Sequence, residues 1–208
     1  MIIVHHLNDS RSQRILWLLE ELALPYEIKR YQRNAQTRLA PPELKAIHPL
    51  GKSPIITDDG RTIHESGAII DYIIRRHGGG RLQPKPDSAA YDDYVQWLHY
   101  AEGSAMLPLL LNLYASRLGE AKAPLMPRIE SEIANHLGFV DGALQDRSFL
   151  LGKDFTAADI QMSFVGEVAE AFGKRAAYAN LDAWTKRLHE RPAYKKALER
   201  GGAYAYAR

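Results

Sequence analysis

Residues 49–66 read PLGKSPIITDDGRTIHES, and this stretch carries the clearest structural signals of the 208-residue sequence. Two short runs rich in β-branched residues, 54–57 and 61–64, flank an Asp-Asp-Gly sequence. The pattern predicts a β-hairpin, because Gly60 supplies the unusual backbone dihedral that a tight turn requires. A serine, which is a preferred N-cap residue, then precedes isoleucines at helical spacing and predicts a helix over 66–77.

The residues that precede this hairpin extend it into a small mixed sheet. Residues 2–4 form an apolar run typical of a buried strand, and residues 26–31 alternate as a second strand. Apolar residues recur at helical spacing over 12–22, and a short helix is expected over 41–48. The order strand, helix, strand, helix, strand, strand, helix (βαβαββα) predicts a parallel, right-handed first crossover and an antiparallel final pair.

The remainder of the chain predicts helices only. Pro84 and Pro86 follow three consecutive glycines and identify residues 81–86 as a linker. Helical patterns then cover 88–118, 124–145, 156–172 and 181–191, with a final helix from Pro192. We therefore predict the fold class α/β plus all-α, with an α/β domain at 1–80 and an all-helical domain at 87–208.

Composition excludes several kinds of function. Lys and Arg total 27 against 25 for Asp and Glu, a net charge of +2, which argues against a nucleic-acid-binding surface. The sequence has no cysteine, which excludes a disulfide framework, a cysteine metal site and a protein thiolate nucleophile. No histidine spacing suggests a metal site, and no apolar run approaches the ~18 residues of a membrane span, so we expect a cytoplasmic protein.

Three segments could bind a ligand, and each also has a purely structural interpretation. In the turn before the first helix, Ser10 or Ser12 could donate a hydrogen bond to an anion at the helix N-terminus, or could simply cap the helix. A cis bond between Ser53 and Pro54 would expose backbone polar groups to a ligand, although trans bonds predominate. The Ser66 hydroxyl could hold the carboxylate of a ligand while Glu65 holds its ammonium group, or Ser66 could simply cap the next helix.

The order and spacing of these segments resemble the thioredoxin-like half of the cytosolic glutathione transferases. The all-helical second half after a proline-rich linker also fits this family. Residues 152–160, GKDFTAADI, are similar to the helix-capping motif of its C-terminal domain. Residues 14–22, RILWLLEEL, are similar to the first helix of bacterial and fungal members. The resemblance covers essentially the whole chain and points to a serine-type member.

The resemblance implies how glutathione would bind as co-substrate. Pro54 is expected to be cis, and the main chain of Ser53 to pair with the cysteinyl part of the tripeptide. Glu65 and Ser66 are expected to hold the γ-glutamyl ammonium and carboxylate groups, and Lys52 to lie near the glycine end. No metal is expected, and neither a nucleic acid nor a membrane is an expected partner.

The resemblance also suggests which residue activates the thiol. The region after the first strand contains no tyrosine, and the chain has no cysteine, so a serine is the remaining type. Ser10 lies four residues before Arg14, a spacing that resembles the serine classes, and Ser12 is the alternative. The implied function is conjugation of glutathione to hydrophobic electrophiles by a homodimer. Glutathione-dependent peroxide reduction or isomerisation, and a non-catalytic interaction role, are the alternatives. Candidates to line the electrophile pocket in the helical domain are Tyr100, Met106, Leu107 and Leu110.

Overall fold

The strands expected in the first eighty residues form one mixed sheet in the computed structural model, which describes residues 1–207. They are β1 (Ile2–Leu7), β2 (Tyr26–Tyr31), β3 (Ile55–Asp58) and β4 (Arg61–His64), in the sheet order β2-β1-β3-β4. β1 and β2 are parallel, whereas the β1–β3 and β3–β4 pairs are antiparallel. The predicted mixed sheet, the parallel pairing of its first two strands and its hairpin are therefore confirmed.

The first strand is longer than the apolar run at 2–4 indicated. It continues through His5 and His6 to Leu7, and all three side chains are buried. Burial of the two histidines is possible because each finds a hydrogen-bond partner on another element. The His5 ring contacts the Tyr31 hydroxyl, and the His6 ring contacts the Ser12 hydroxyl.

Three helices follow the strands as expected: α1 (Ser12–Glu21), α2 (Glu43–Ile47) and α3 (Ser66–Arg76). α3 buries its four isoleucines at positions 69, 70, 73 and 74. α1 contacts both β1 and α3, and it buries every residue from Ser12 to Leu19. The sequence predicted an amphipathic α1, but the polar residues of its first turn are also enclosed.

The chain divides by its contacts into two units, residues 1–83 with 189–207, and residues 84–188. The last helix, α9 (Pro192–Gly201), therefore packs in the first unit, whereas the sequence placed it in the helical domain. It lies against α1, where Arg191 pairs with Glu21 at 2.6 Å and Arg200 with Glu20 at 2.8 Å.

The second unit is helical throughout, as predicted. It contains α4 (Ala89–Tyr100), α5 (Met106–Ala115), α6 (Met126–Ala143), α7 (Ala157–Ala171) and most of α8 (Ala179–His189). The predicted single helix over 88–118 is wrong in detail. A π-helical turn at Ala101–Ala105 separates α4 from α5, and a 3₁₀ segment at Ser116–Lys122, with Gly119 at φ 55°, follows α5. A second short 3₁₀ turn, Arg175–Ala177, precedes α8.

The predicted capping box at the start of α7 is confirmed, and its Asp159 also binds residues outside this helix. Asp159 accepts hydrogen bonds from the Thr156 N–H at 2.9 Å and from the Leu150 N–H at 2.9 Å. It also accepts one from the Trp184 indole at 2.9 Å, which ties α7 to α8. Among residues 1–207, no helix is both long and apolar enough to cross a membrane.

Candidate functional site

The two candidate serines lie side by side where β1 gives way to α1. Their Oγ atoms are 2.8 Å apart. Ser10 accepts the backbone N–H of Ser12, the first residue of α1, at 3.2 Å, and donates to the Leu7 carbonyl at 2.7 Å. Ser10 thus satisfies one of the otherwise unpaired N–H groups of the helix terminus. The structural role and a ligand-binding role are compatible, because the hydroxyl proton can turn from the carbonyl to a bound anion.

Ser12 lies deeper in the protein than Ser10. It is fully buried, and its Oγ lies 2.8 Å from His6 Nδ1 and 3.3 Å from the Leu7 carbonyl. Burial and the positive charge of Arg30 lower the pKa of His6 to about 4. The imidazole is therefore neutral near pH 7, and one of its ring nitrogens is a hydrogen-bond acceptor.

The segment before β3 also contacts Ser10. The Ser53–Pro54 peptide bond is cis, as the resemblance implies. Ser53 Oγ lies 3.3 Å from Ser10 Oγ and donates to the His5 carbonyl at 3.3 Å. The structure therefore brings together Ser10 and Ser53, which are 43 positions apart in the sequence.

The Glu65-Ser66 pair lies at the start of α3. Glu65 is exposed and has a φ of 67°, a left-handed conformation that costs a non-glycine residue about 1–3 kcal/mol. Ser66 is buried, and its Oγ accepts a hydrogen bond from the buried Arg14 guanidinium at 3.3 Å. A guanidinium, a hydroxyl and a helix N-terminus together favour an anion at this point.

Arg14 is the site residue that sequence reasoning missed. The sequence used it only as a reference for spacing, although an arginine at the start of an apolar helix is itself a signal. Such a charge is buried only when it has a partner. One partner, the Ser66 hydroxyl, is 52 positions away, and local patterns do not reveal it.

Two further parts of the chain adjoin the candidate serines: Lys52, which precedes Ser53 in sequence, and the loop after β2, which contacts the turn after β1. Lys52 is exposed. The loop is tied to the turn after β1, because the Arg33 N–H donates to the Asn8 side chain at 2.8 Å and Arg38 pairs with Asp9 at 2.8 Å. Burial raises the pKa of Asp9, but hydrogen bonds from Ala205 N–H and Arg38 outweigh it and hold that pKa below its ordinary value.

The helical unit contains a cavity of about 1040 Å³ between α4, α6 and residues 147–152. Trp97 stacks on Phe139 in its wall, with ring centroids 5.6 Å apart. Tyr100 also lines it, and burial raises the pKa of Tyr100 to about 12. Of the other residues suggested for an electrophile pocket, Met106 is buried in the core, while Leu107 is exposed and lies outside this cavity. Trp97 and Phe139 are additions to that set.

No grouping of three or more metal-binding side chains occurs within residues 1–207. The two adjacent histidines of β1 point in opposite directions, as alternation along a strand requires. One contacts Tyr31 and Thr57, and the other contacts Ser12.

Comparisons with known proteins agree across the whole chain. Residues 10–76 match the family model of the glutathione S-transferase N-terminal domain, and residues 93–192 match that of the C-terminal domain. Glutathione S-transferase 3 of Schizosaccharomyces pombe is 35% identical, over 96% of this chain and 88% of its own. The crystal structure of a glutathione S-transferase from Actinobacillus pleuropneumoniae is 32% identical, with a TM-score of 0.90, over 100% of this chain and 96% of its own. A glutathione transferase family member from Pseudomonas fluorescens, solved with two glutathione molecules bound, is 28% identical with a TM-score of 0.78, over 95% of this chain and 92% of its own.

Proposed function

Because this chain belongs to the glutathione S-transferase family, we propose that it binds glutathione in its α/β domain, stabilises its thiolate and conjugates it to a small hydrophobic electrophile. The observation that carries the proposal is the 3.3 Å contact between the hydroxyls of Ser10 and Ser53. It unites a hydroxyl at a helix N-terminus with the residue before a cis proline. The glutathione-bound relative from Pseudomonas fluorescens supports the choice of ligand.

Each end of the tripeptide has a partner of suitable charge. The γ-glutamyl carboxylate pairs with Ser66, and Arg14, which already donates to the Ser66 hydroxyl, adds positive charge. The ammonium group pairs with the exposed carboxylate of Glu65, and the main chain of Ser53 pairs with the cysteinyl unit. The exposed ammonium of Lys52 suits the glycine carboxylate.

We assign activation of the glutathione thiol to Ser10, and Ser12 supports Ser10 through the contact between their hydroxyls. Ser10 Oγ contacts Ser53, whereas the fully buried Ser12 Oγ faces His6 and Leu7. Lowering the thiol pKa by about two units requires about 2.7 kcal/mol. One hydrogen bond to a charged group supplies about 1.5–3 kcal/mol, and a helix N-terminus about 0.3–1 kcal/mol. These two contributions are therefore of the required size.

The reaction needs little further chemistry from the protein. The thiolate attacks the electrophilic carbon, the C–S bond forms, and the leaving group departs with the electron pair of its bond. Proximity supplies the rest of the rate enhancement, because it makes the attack effectively unimolecular. We assign the electrophile pocket to the helical domain, and the aromatic cavity lined by Trp97, Tyr100 and Phe139 supports an apolar or planar partner.

A homodimer is part of the proposal. On α5, the side chains of Leu107, Leu111 and Tyr114 are 54%, 44% and 59% exposed. Their spacing puts them on one face of the helix. A contiguous apolar face of this kind typically marks a protein–protein interface. We assign it to a second copy of this chain, as the family relationship suggests.

Two measurements test the proposal. Calorimetric titration with glutathione should give saturable binding, and cysteinylglycine, which lacks the γ-glutamyl group, should bind more weakly because it cannot engage Ser66 and Glu65. A chloronitroaromatic electrophile should then be conjugated at a rate that depends on the enzyme. Absence of glutathione binding would refute the proposal in favour of an interaction role. Binding with peroxide reduction but no conjugation would replace transfer by the peroxidase alternative.

A further inference from the structure

We propose that Ser12 and His6 form a relay that carries the thiol proton of bound glutathione from Ser10 to a cavity lined in part by residues 201–205. The inference rests on the proposed function and deepens it, because it assigns an exit to the proton that the thiol must lose. It concerns two positioning residues that do not touch glutathione themselves.

An unbroken series of short contacts connects Ser10 to His6. Ser10 Oγ lies 2.8 Å from Ser12 Oγ, which lies 2.8 Å from His6 Nδ1. Both distances are typical of good hydrogen bonds. Ser10, Ser12 and His6 are 4%, 0% and 4% exposed, so bulk water does not interrupt the hydrogen bonds between them.

The far end of the series reaches open space. His6 lines a cavity of about 420 Å³ together with Arg30, Gly201 and Tyr204. A methyl group added at Gly201 would lie 2.8 Å from Gln13 Oε1, 2.9 Å from Leu16 Cδ1 and 3.4 Å from His6 Nε2, so this ring nitrogen lies close to Gly201, which itself lines the cavity. One ring nitrogen of His6 therefore meets Ser12, and the other lies beside the cavity.

The protonation state of His6 suits a relay. The ring is neutral near pH 7, because burial and the Arg30 charge lower its pKa to about 4 and the charge of Asp9 only partly opposes them. A neutral imidazole carries one proton, which either nitrogen can hold. Such a ring can accept a proton at Nδ1 while it releases one from Nε2, and it need not remain positively charged.

Each hydroxyl in the relay gains one proton and loses one. The Ser10 hydroxyl first turns from the Leu7 carbonyl to Ser12 Oγ. The S–H bond of glutathione then breaks and its proton passes to Ser10 Oγ, while Ser10 passes its own proton to Ser12. Ser12 passes its proton to His6 Nδ1, and His6 Nε2 releases one to solvent in the cavity. One proton leaves and one negative charge remains on sulfur. The hydrogen bonds afterwards run from His6 Nδ1–H through Ser12 to Ser10, whose hydroxyl donates to the thiolate.

A structural role alone would explain the contacts between these side chains but not a kinetic dependence on them. The test is rapid mixing of the protein with glutathione, with thiolate ultraviolet absorbance and release of protons to an indicator dye followed together. The variants are His6→Gln, His6→Ala and Ser12→Ala, each checked for folding by circular dichroism and for glutathione affinity by calorimetry. His5→Gln is the matched control, because this side chain lies on the same strand but faces Tyr31 and Thr57.

We expect His6→Gln and Ser12→Ala to slow proton release by about 100-fold, the lower end of typical acid–base contributions, with glutathione affinity retained. Added imidazole should enter the cavity and accelerate His6→Ala in proportion to its concentration, and it should not affect His5→Gln. If His6→Ala does not fold, the other two variants decide the question.

Release at the wild-type rate in His6→Gln and Ser12→Ala would overturn the relay. A folded His6→Ala that binds glutathione but does not respond to imidazole would overturn it as well. In either case the wild-type protein would still form a thiolate, and the proposed function would stand. Failure of the wild-type protein to form any thiolate would instead refute the proposed function.

Discussion

Replacement of Ser10 by alanine should raise the pKa of the bound glutathione thiol by roughly one unit. A hydrogen bond to a charged group contributes about 1.5–3 kcal/mol, which corresponds to roughly 1–2 pKa units at 1.36 kcal/mol per unit. The lower end applies here, because the Ser10 hydroxyl must first give up its 2.7 Å bond to the Leu7 carbonyl. The helix N-terminus remains in the variant, so the thiol pKa should stay below its unperturbed value.

The assay is a pH titration of thiolate absorbance in the presence of saturating glutathione, with Ser12→Ala as the comparison. Ser12 has no hydrogen bond to Ser53 and is fully buried, so its loss should change the equilibrium thiol pKa less than loss of Ser10. Its main expected effect is on the rate of proton release. An unchanged thiol pKa in Ser10→Ala, or a larger shift in Ser12→Ala, would refute the assignment of Ser10.

Three further predictions concern stability and assembly. Asp159→Ala should lower the free energy of unfolding by at least about 3 kcal/mol, measured by denaturant titration, because three buried N–H donors lose their acceptor. Asp58 should make stability depend on pH in the acid range: burial raises its pKa, but hydrogen bonds from His77 and Tyr72 outweigh it and hold the pKa below its ordinary value. This contribution is complete above the unfolded pKa and is lost as pH falls through the lower folded pKa, so the melting temperature of Asp58→Asn should vary less in that range. Leu111→Glu should convert the dimer to monomer in sedimentation experiments.

Two of these predictions have a control variant, and each has a contrary outcome. The exposed Asp154 is the control for the capping box, and equal stability of Asp154→Ala and Asp159→Ala would contradict the role of the buried carboxylate. If Asp58→Asn reproduced the wild-type acid profile, another group would be responsible. Leu39 is as exposed as the α5 face but lies outside it, so a monomer in Leu39→Glu rather than Leu111→Glu would contradict the proposed interface.

Local patterns predicted the elements better than they predicted their partners. β2 and β4 begin and end where alternation and the Asp-Asp-Gly turn indicated, because strand period and turn chemistry are properties of adjacent residues. β1 extends past its apolar run through His5 and His6. These two side chains can be buried because hydroxyls from other elements pair with them. A local pattern does not contain that information.

The same reason explains the last helix and the missed arginine. α9 was expected as a helix, but its position against α1 depends on ion pairs such as Arg191–Glu21, whose members are 170 residues apart. Arg14 was visible in the sequence, but the hydroxyl of Ser66 that it meets comes from a different helix. The roles of Lys52, Ser53, Glu65 and Ser66 came from the family resemblance and remain proposals.

A crystal structure of this protein with glutathione bound tests the central claim most directly. We predict that the sulfur will lie within hydrogen-bonding distance of Ser10 Oγ. The cysteinyl backbone should pair with the main chain of Ser53, and the γ-glutamyl carboxylate should lie at Ser66. A tripeptide bound elsewhere, or one in this groove whose sulfur contacts neither Ser10 nor the helix N-terminus beside it, would contradict the account.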